Sequence, residues 1–143
     1  MIESGDGSAA NNLENRMTRL YLHITAGGLA LVAMGYALAP HTALGSLIDL
    51  PYEQIDQVHI LRGIMGLYLG MVAFWFVAAA RPEYSRPAVL SVVLFMLGLA
   101  SGRIFSMAVD GMPSPFLVGA TFVEIGSGVF GILILRGFGS DDG

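Results

Sequence analysis

Three full charges stand inside otherwise apolar stretches of this chain: Arg62, Arg103 and Glu124. Ionisable residues inside long apolar segments are rare, and those that persist pair with one another or line a polar path. Other groups that hydrogen-bond or titrate gather around them. His59 stands one helical turn before Arg62, Asp56 precedes His59, Tyr68 lies further along the same stretch, and Ser106 and Asp110 follow Arg103 at helical spacing. Arg62, Arg103 and Glu124 make up the centre of the candidate site, with Asp110, Asp56, His59, Ser106 and Tyr68 at its margin. Arginine grips carboxylate or phosphate with two parallel hydrogen bonds, so two arginines against one glutamate suit a small anionic ligand. The same groups also suit a purely structural ion-pair network that sets helix register, with Asp110 cancelling the positive surplus. Catalysis with Glu124 or His59 as acid–base finds no supporting nucleophile or metal motif. His41 and His59 lack the paired spacing of a metal or haem site, so neither metal nor cofactor is expected.

The elements that must position these groups are long apolar helices. The chain has 143 residues, of which 55% are hydrophobic and 13% charged, and its mean hydropathy is +0.68. Soluble domains carry about 25% charged residues. A helix needs about 20 apolar residues to cross the hydrocarbon core of a bilayer. Four stretches qualify, at 20–39, 58–80, 88–109 and 116–135. Breakers and charges bound them: Arg16 and Arg19 before the first and Pro40 after it, Arg81-Pro82 and Arg86-Pro87 between the second and third, Asp110-Gly111 and Ser114-Pro115 between the third and fourth, and Arg136-Gly137 at the end. Ser114 is placed to cap the fourth helix, with Pro115 at its first position. Leu44, Leu47, Ile48 and Leu50 suit a turn or two lying in the membrane interface, and Pro51 suits the start of the helix that enters near Val58.

The chain has no Cys, which excludes disulfides and thiolate chemistry, and a net charge of −4 with no basic stripe, which excludes nucleic-acid binding. All seven cations are arginines. Apart from Arg62 and Arg103 within the spans, they fall in the N-terminal arm, the 81–87 connection and the C-terminal end, while the charged residues of the connections 40–57 and 110–115 are all acids. Cytoplasmic loops carry the excess of arginine, so both termini are expected in the cytoplasm. The expected organisation is a disordered N-terminal arm over 1–17, an antiparallel all-α bundle of four transmembrane helices over 18–137, and a tail over 138–143. Ala37-Leu38-Ala39 resembles a signal cleavage site, but the long acidic arm before it and Pro40 after it argue against cleavage.

Small residues let membrane helices approach closely. Ala26, Ala30, Ala33 and Ala37 line one face of the first span; Gly63, Gly66 and Gly70 recur in the second, Gly98 and Gly102 in the third, and Ala120, Gly128 and Gly131 in the fourth. On the second and fourth spans the small face also carries the charge, Arg62 or Glu124, which predicts charges pointing into the bundle. At 1.5 Å per residue, Arg62 lies about 9 Å inside the outer boundary, Arg103 about 10 Å and Glu124 about 13 Å. This common level predicts an Arg62–Glu124–Arg103 network with Asp110, Asp56 and His59 at its mouth. Arg62-Gly66 and Glu124-Gly128 also align as a weak internal duplication. Tyr21, Tyr36, Tyr52, Tyr84 and Trp75 are expected as interfacial anchors.

Arg62-Gly63 with Gly66 and Tyr68, then Gly102-Arg103 and Ser106, Asp110-Gly111 with Pro113 and Ser114, and finally Glu124 form a pattern that resembles the bacterial membrane family known as domain of unknown function 4345. The likeness spans roughly 18–136, and its most specific piece is the run at 102–114. The resemblance implies a small four-helix protein of the bacterial inner membrane and groups Arg62, Arg103, Asp110 and Glu124 as a signature; it implies no activity or cofactor. The leading expectation is a binding or accessory subunit, in contact with membrane lipid and open to a homo-oligomer, a larger membrane complex or a small anionic ligand. The alternatives are an oligomeric transporter component for an anionic solute or lipid, with a polar path past Tyr68 and Gly70, and a membrane enzyme.

Overall fold

The structure, a computed structural model, describes residues 6–38 and 55–137. Four helices account for nearly all of them: α1 (Asp6–Leu38), α2 (Ile55–Ala80), α3 (Ser85–Asp110) and α4 (Pro115–Gly137), with a 3-10 turn at Pro82–Tyr84 between α2 and α3. Each contains a segment long and apolar enough to cross a membrane. His41, Tyr52, the interfacial turn over 44–50 and the helix start at Pro51 lie outside the described residues, as does the Tyr36 side chain.

Local chemistry sets the helix ends. Arg81 is extended (φ −129°, ψ 105°), as the residue before a proline must be to clear its ring. Gly111 follows α3 with φ 101°, a backbone conformation that a side chain would strain. Pro115 opens α4 where its missing N–H costs nothing. Ser114 does not cap through its side chain. Its carbonyl accepts from the Leu117 and Val118 N–H groups at 3.0 and 3.2 Å, while its hydroxyl is buried without a partner among the described residues.

The first helix starts earlier than the sequence suggests. Residues 6–17, expected within a disordered arm, are helical. Thr18, Tyr21, Leu22, Thr25, Ala26, Leu29 and Ala33 form a buried stripe along α1, and the end of that helix brings Glu14 against Gly137 of α4. A helix held along its length by such a stripe continues outward from the packed part at little cost.

The helices pack in two pairs. α1 packs along α2 and α3 along α4, while narrower contacts join α1 to α3 and α4, and α2 to α3. Most of the core lies toward the 82–84 turn. Trp75, Ala78, Ala88, Val89 and Val92 are fully buried there, with Leu22 and Ala26 of α1. Trp75 is a core residue, not an interfacial anchor: its Nε1 donates to Ser91 Oγ at 2.9 Å, and its ring meets Phe95 edge-on, as does that of Tyr68. Tyr21 is likewise buried, donating to the Ser127 carbonyl of α4 at 2.8 Å and lying edge-on to Phe130. An aromatic ring fills interhelical space well, and when buried it needs a partner for its polar tip. Ser91 and Ser127 supply those partners. Toward the other end burial fades: among the described residues none of α2 before Tyr68, and none of α3 after Ala100, is buried. The exposed surface is apolar along the spans, with Leu31, Leu94, Phe105, Phe122 and Val123 turned outward, as hydrocarbon allows.

Candidate functional site

Arg103 and Glu124 reach each other across the α3–α4 hairpin. Arg103 Nε donates to Glu124 Oε1 at 3.0 Å, with the two side chains 19% and 10% exposed. Close packing one turn deeper makes the meeting possible. The site of Gly128 is filled by Leu97 of α3, and that of Gly131 by Val93 of α3 and Tyr21 of α1, so a Cβ at either glycine would fall within 2.7 Å of a neighbouring side-chain atom. Absence of side chains there lets α4 lie close to α3. Glu124 is on the same face one turn before Gly128, and Thr121 beside it returns its hydroxyl to the Leu117 carbonyl at 3.0 Å.

The pair is incompletely satisfied. Glu124 Oε2 is buried and has no partner among the described residues. Arg103 has five N–H donors, of which the Nε–H alone is engaged among those residues. A buried oxygen without a donor is costly.

The remaining expected members do not join. Arg62 is exposed on α2, as are His59 and Asp56, and none of these side chains makes an ion pair or hydrogen bond among the described residues. The three-charge network is therefore corrected to a two-residue pair. The reason is helix rotation. The packed face of α2 runs through Tyr68, Val72, Trp75 and Ala79, and Arg62 is turned away from it by roughly 100°. In addition, α2 does not pack along α4. The small-residue face was the wrong guide on this helix: among the described residues nothing lies within 4 Å of a Cβ added at Gly63, Gly66 or Gly70, and Gly98 and Gly102 of α3 are equally open. Arg62→Leu should therefore change stability by less than about 0.5 kcal/mol, read from thermal unfolding of the purified protein; a loss several times larger would mean that the side chain has a folding partner.

Ser106 and Asp110 make their own bond, hydroxyl to carboxylate at 2.8 Å, on the exposed end of α3. Tyr68 is buried against Phe95 and belongs to the α2–α3 contact. A hollow of about 370 Å³ opens at the far end of the hairpin, lined by Arg86, Pro87, Leu90 and Leu135; it is apolar and does not include the pair. Among the described residues no three of His, Asp and Glu converge as metal ligands. The ties Tyr21–Ser127 and Trp75–Ser91 escaped the sequence reading. The buried spacing 18, 22, 25, 29 on α1 was the available signal for the first; the second pairs residues whose meeting depends on the turn between two helices.

Four helices long and apolar enough to cross a membrane, with one charged pair between α3 and α4, are consistent with a small polytopic membrane protein. Residues 17–135 match the family described as Domain of unknown function (DUF4345), and the chain belongs to that family. No curated protein and no solved structure shows significant similarity to it.

Proposed function

We propose that the protein is a non-enzymatic binding or accessory subunit of the bacterial inner membrane, and that the Arg103–Glu124 pair is its site. The observation that carries this reading is the unfinished pairing: one carboxylate oxygen holds Arg103 while the other, buried, holds nothing among the described residues. A pair serving only as a structural pin would gain by closing into the two-bond arrangement that arginine and carboxylate favour. Instead the guanidinium keeps its terminal donors available and its side chain partly exposed.

The arginine pattern supports an antiparallel four-helix arrangement with both termini in the cytoplasm and the pair in the outer half of the membrane. With Arg62 outside the cluster the pair is neutral, and the positive surplus that favoured a simple anion is gone. Native purification followed by mass spectrometry tests the reading. The expected result is a co-purifying small molecule, lipid or protein subunit that Arg103→Gln releases. Recovery of the bare chain, with the same composition before and after that substitution, would leave the pair as a helix pin alone.

A further inference from the structure

The unused valences of the pair are specific. On one side Arg103 offers N–H donors in a planar fork; on the other Glu124 Oε2 lacks a donor among the described residues. Together the two residues carry no net charge. An anion alone would satisfy the guanidinium but leave Oε2 bare and bring a second negative charge beside it, in a medium where such repulsion is strong. A cation alone would do the reverse. Both vacancies close when one molecule brings an oxyanion to Arg103 and a hydrogen-bonding ammonium to Glu124. A quaternary ammonium carries no N–H and cannot finish Oε2. The terminal torsion of a glutamate is broad and roughly two-fold, so a modest turn of the carboxylate presents Oε2 beside the guanidinium.

The surroundings indicate how such a molecule arrives. The outer surface of α3 and α4 at this level is apolar: Ile104, Phe105, Phe122 and Val123 are all more than half exposed. Their apolar surfaces suit acyl chains. We propose that the Arg103–Glu124 pair binds a phosphoethanolamine group, its phosphate on the Arg103 Nη groups and its primary ammonium on Glu124 Oε2. This rests on the binding reading above and names the ligand class of that site. The group can come as the head of an aminophospholipid or as a free soluble zwitterion, and the test separates the two sources.

The test uses the full chain, delipidated in detergent and offered phosphatidylethanolamine, phosphatidylcholine or phosphatidylglycerol, with retained lipid counted by native mass spectrometry. Phosphatidylethanolamine should be retained about tenfold or more over phosphatidylcholine, the ratio a hydrogen bond to a charged group commands. Glu124→Gln should bring that ratio near one, and Arg103→Gln should reduce retention of both. Free phosphoethanolamine that competes at millimolar concentration would identify the soluble source, whereas competition by the lipid alone identifies the head group. Equal retention of the ethanolamine and choline lipids by the unsubstituted protein overturns the proposal, and that comparison stands even if Glu124→Gln fails to accumulate. Preferential retention of phosphatidylglycerol, lost in Arg103→Gln, would sink the zwitterion while leaving a binding site at the pair. Retention that neither substitution alters would sink both.

Discussion

Glu124→Ala should destabilise the protein by about 3–5 kcal/mol, the cost of leaving the other member of a buried ion pair without its partner. Arg103 would then be left, mostly buried, with its guanidinium unpaired among the described residues, since Nε–Oε1 is its bond there. Arg103→Leu combined with Glu124→Ala should cost less than Glu124→Ala alone, because an apolar side chain replaces the stranded charge. Arg62→Leu combined with Glu124→Ala should give no such relief, because Arg62 makes no ion pair among the described residues. Thermal unfolding in detergent and accumulation in the membrane both report the order. If Arg62→Leu rescued Glu124→Ala as well as Arg103→Leu does, the three-charge network would be restored and the two-residue pair refuted.

Gly131→Ala is the second large effect expected. A Cβ at this position would lie 2.6 Å from Val93 Cγ2 and 2.7 Å from the Tyr21 hydroxyl. Neither neighbour yields easily: valine is stiff at χ1, and the hydroxyl is held on the Ser127 carbonyl at 2.8 Å. Overpacking of this kind costs about 1–3 kcal/mol. A Cβ at Gly128 would lie 2.5 Å from Leu97 Cδ2 and 2.6 Å from its Cγ; leucine turns more freely at χ1 than valine, so Gly128→Ala should cost less. Gly66→Ala and Gly70→Ala should be neutral, or stabilising by up to about 1 kcal/mol through helix propensity, because nothing among the described residues lies within 4 Å. Tyr21→Phe in the Gly131→Ala background should recover part of the loss by removing one of the two crowding atoms. Unfolding temperatures of the five variants measure the pattern. A Gly66→Ala penalty as large as that of Gly131→Ala would show that the α2 glycines are packed in the working protein, against a partner or a second copy.

That contrast between glycines separates what composition and spacing determine from what they leave open. Class, number of spans and their approximate limits were legible residue by residue, because a membrane demands about 20 apolar residues per crossing and loops announce themselves by proline, glycine and charge. The Arg103–Glu124 pair was legible too. Two opposite charges at one depth on consecutive helices joined by a short connection have little choice of partner, and the packed glycines Gly128 and Gly131 mark the face on which they meet.

Rotation of each helix about its own axis was not legible. A soluble amphipathic helix declares its inner face by polarity, but a span surrounded by lipid is apolar on all sides. The remaining cues, small residues and charge, pointed one way on α2, and aromatic packing went another: Trp75 and Tyr68 against Phe95 turned Arg62 and its glycines outward. The sequence by itself determined the kind of protein, its four membrane-capable helices and the pair on neighbouring helices. Only the tertiary structure decided that Arg62 stands apart, that Trp75 lies in the core and that one oxygen of Glu124 is left unclaimed among the described residues, because each depends on how helices distant in the chain turn toward one another.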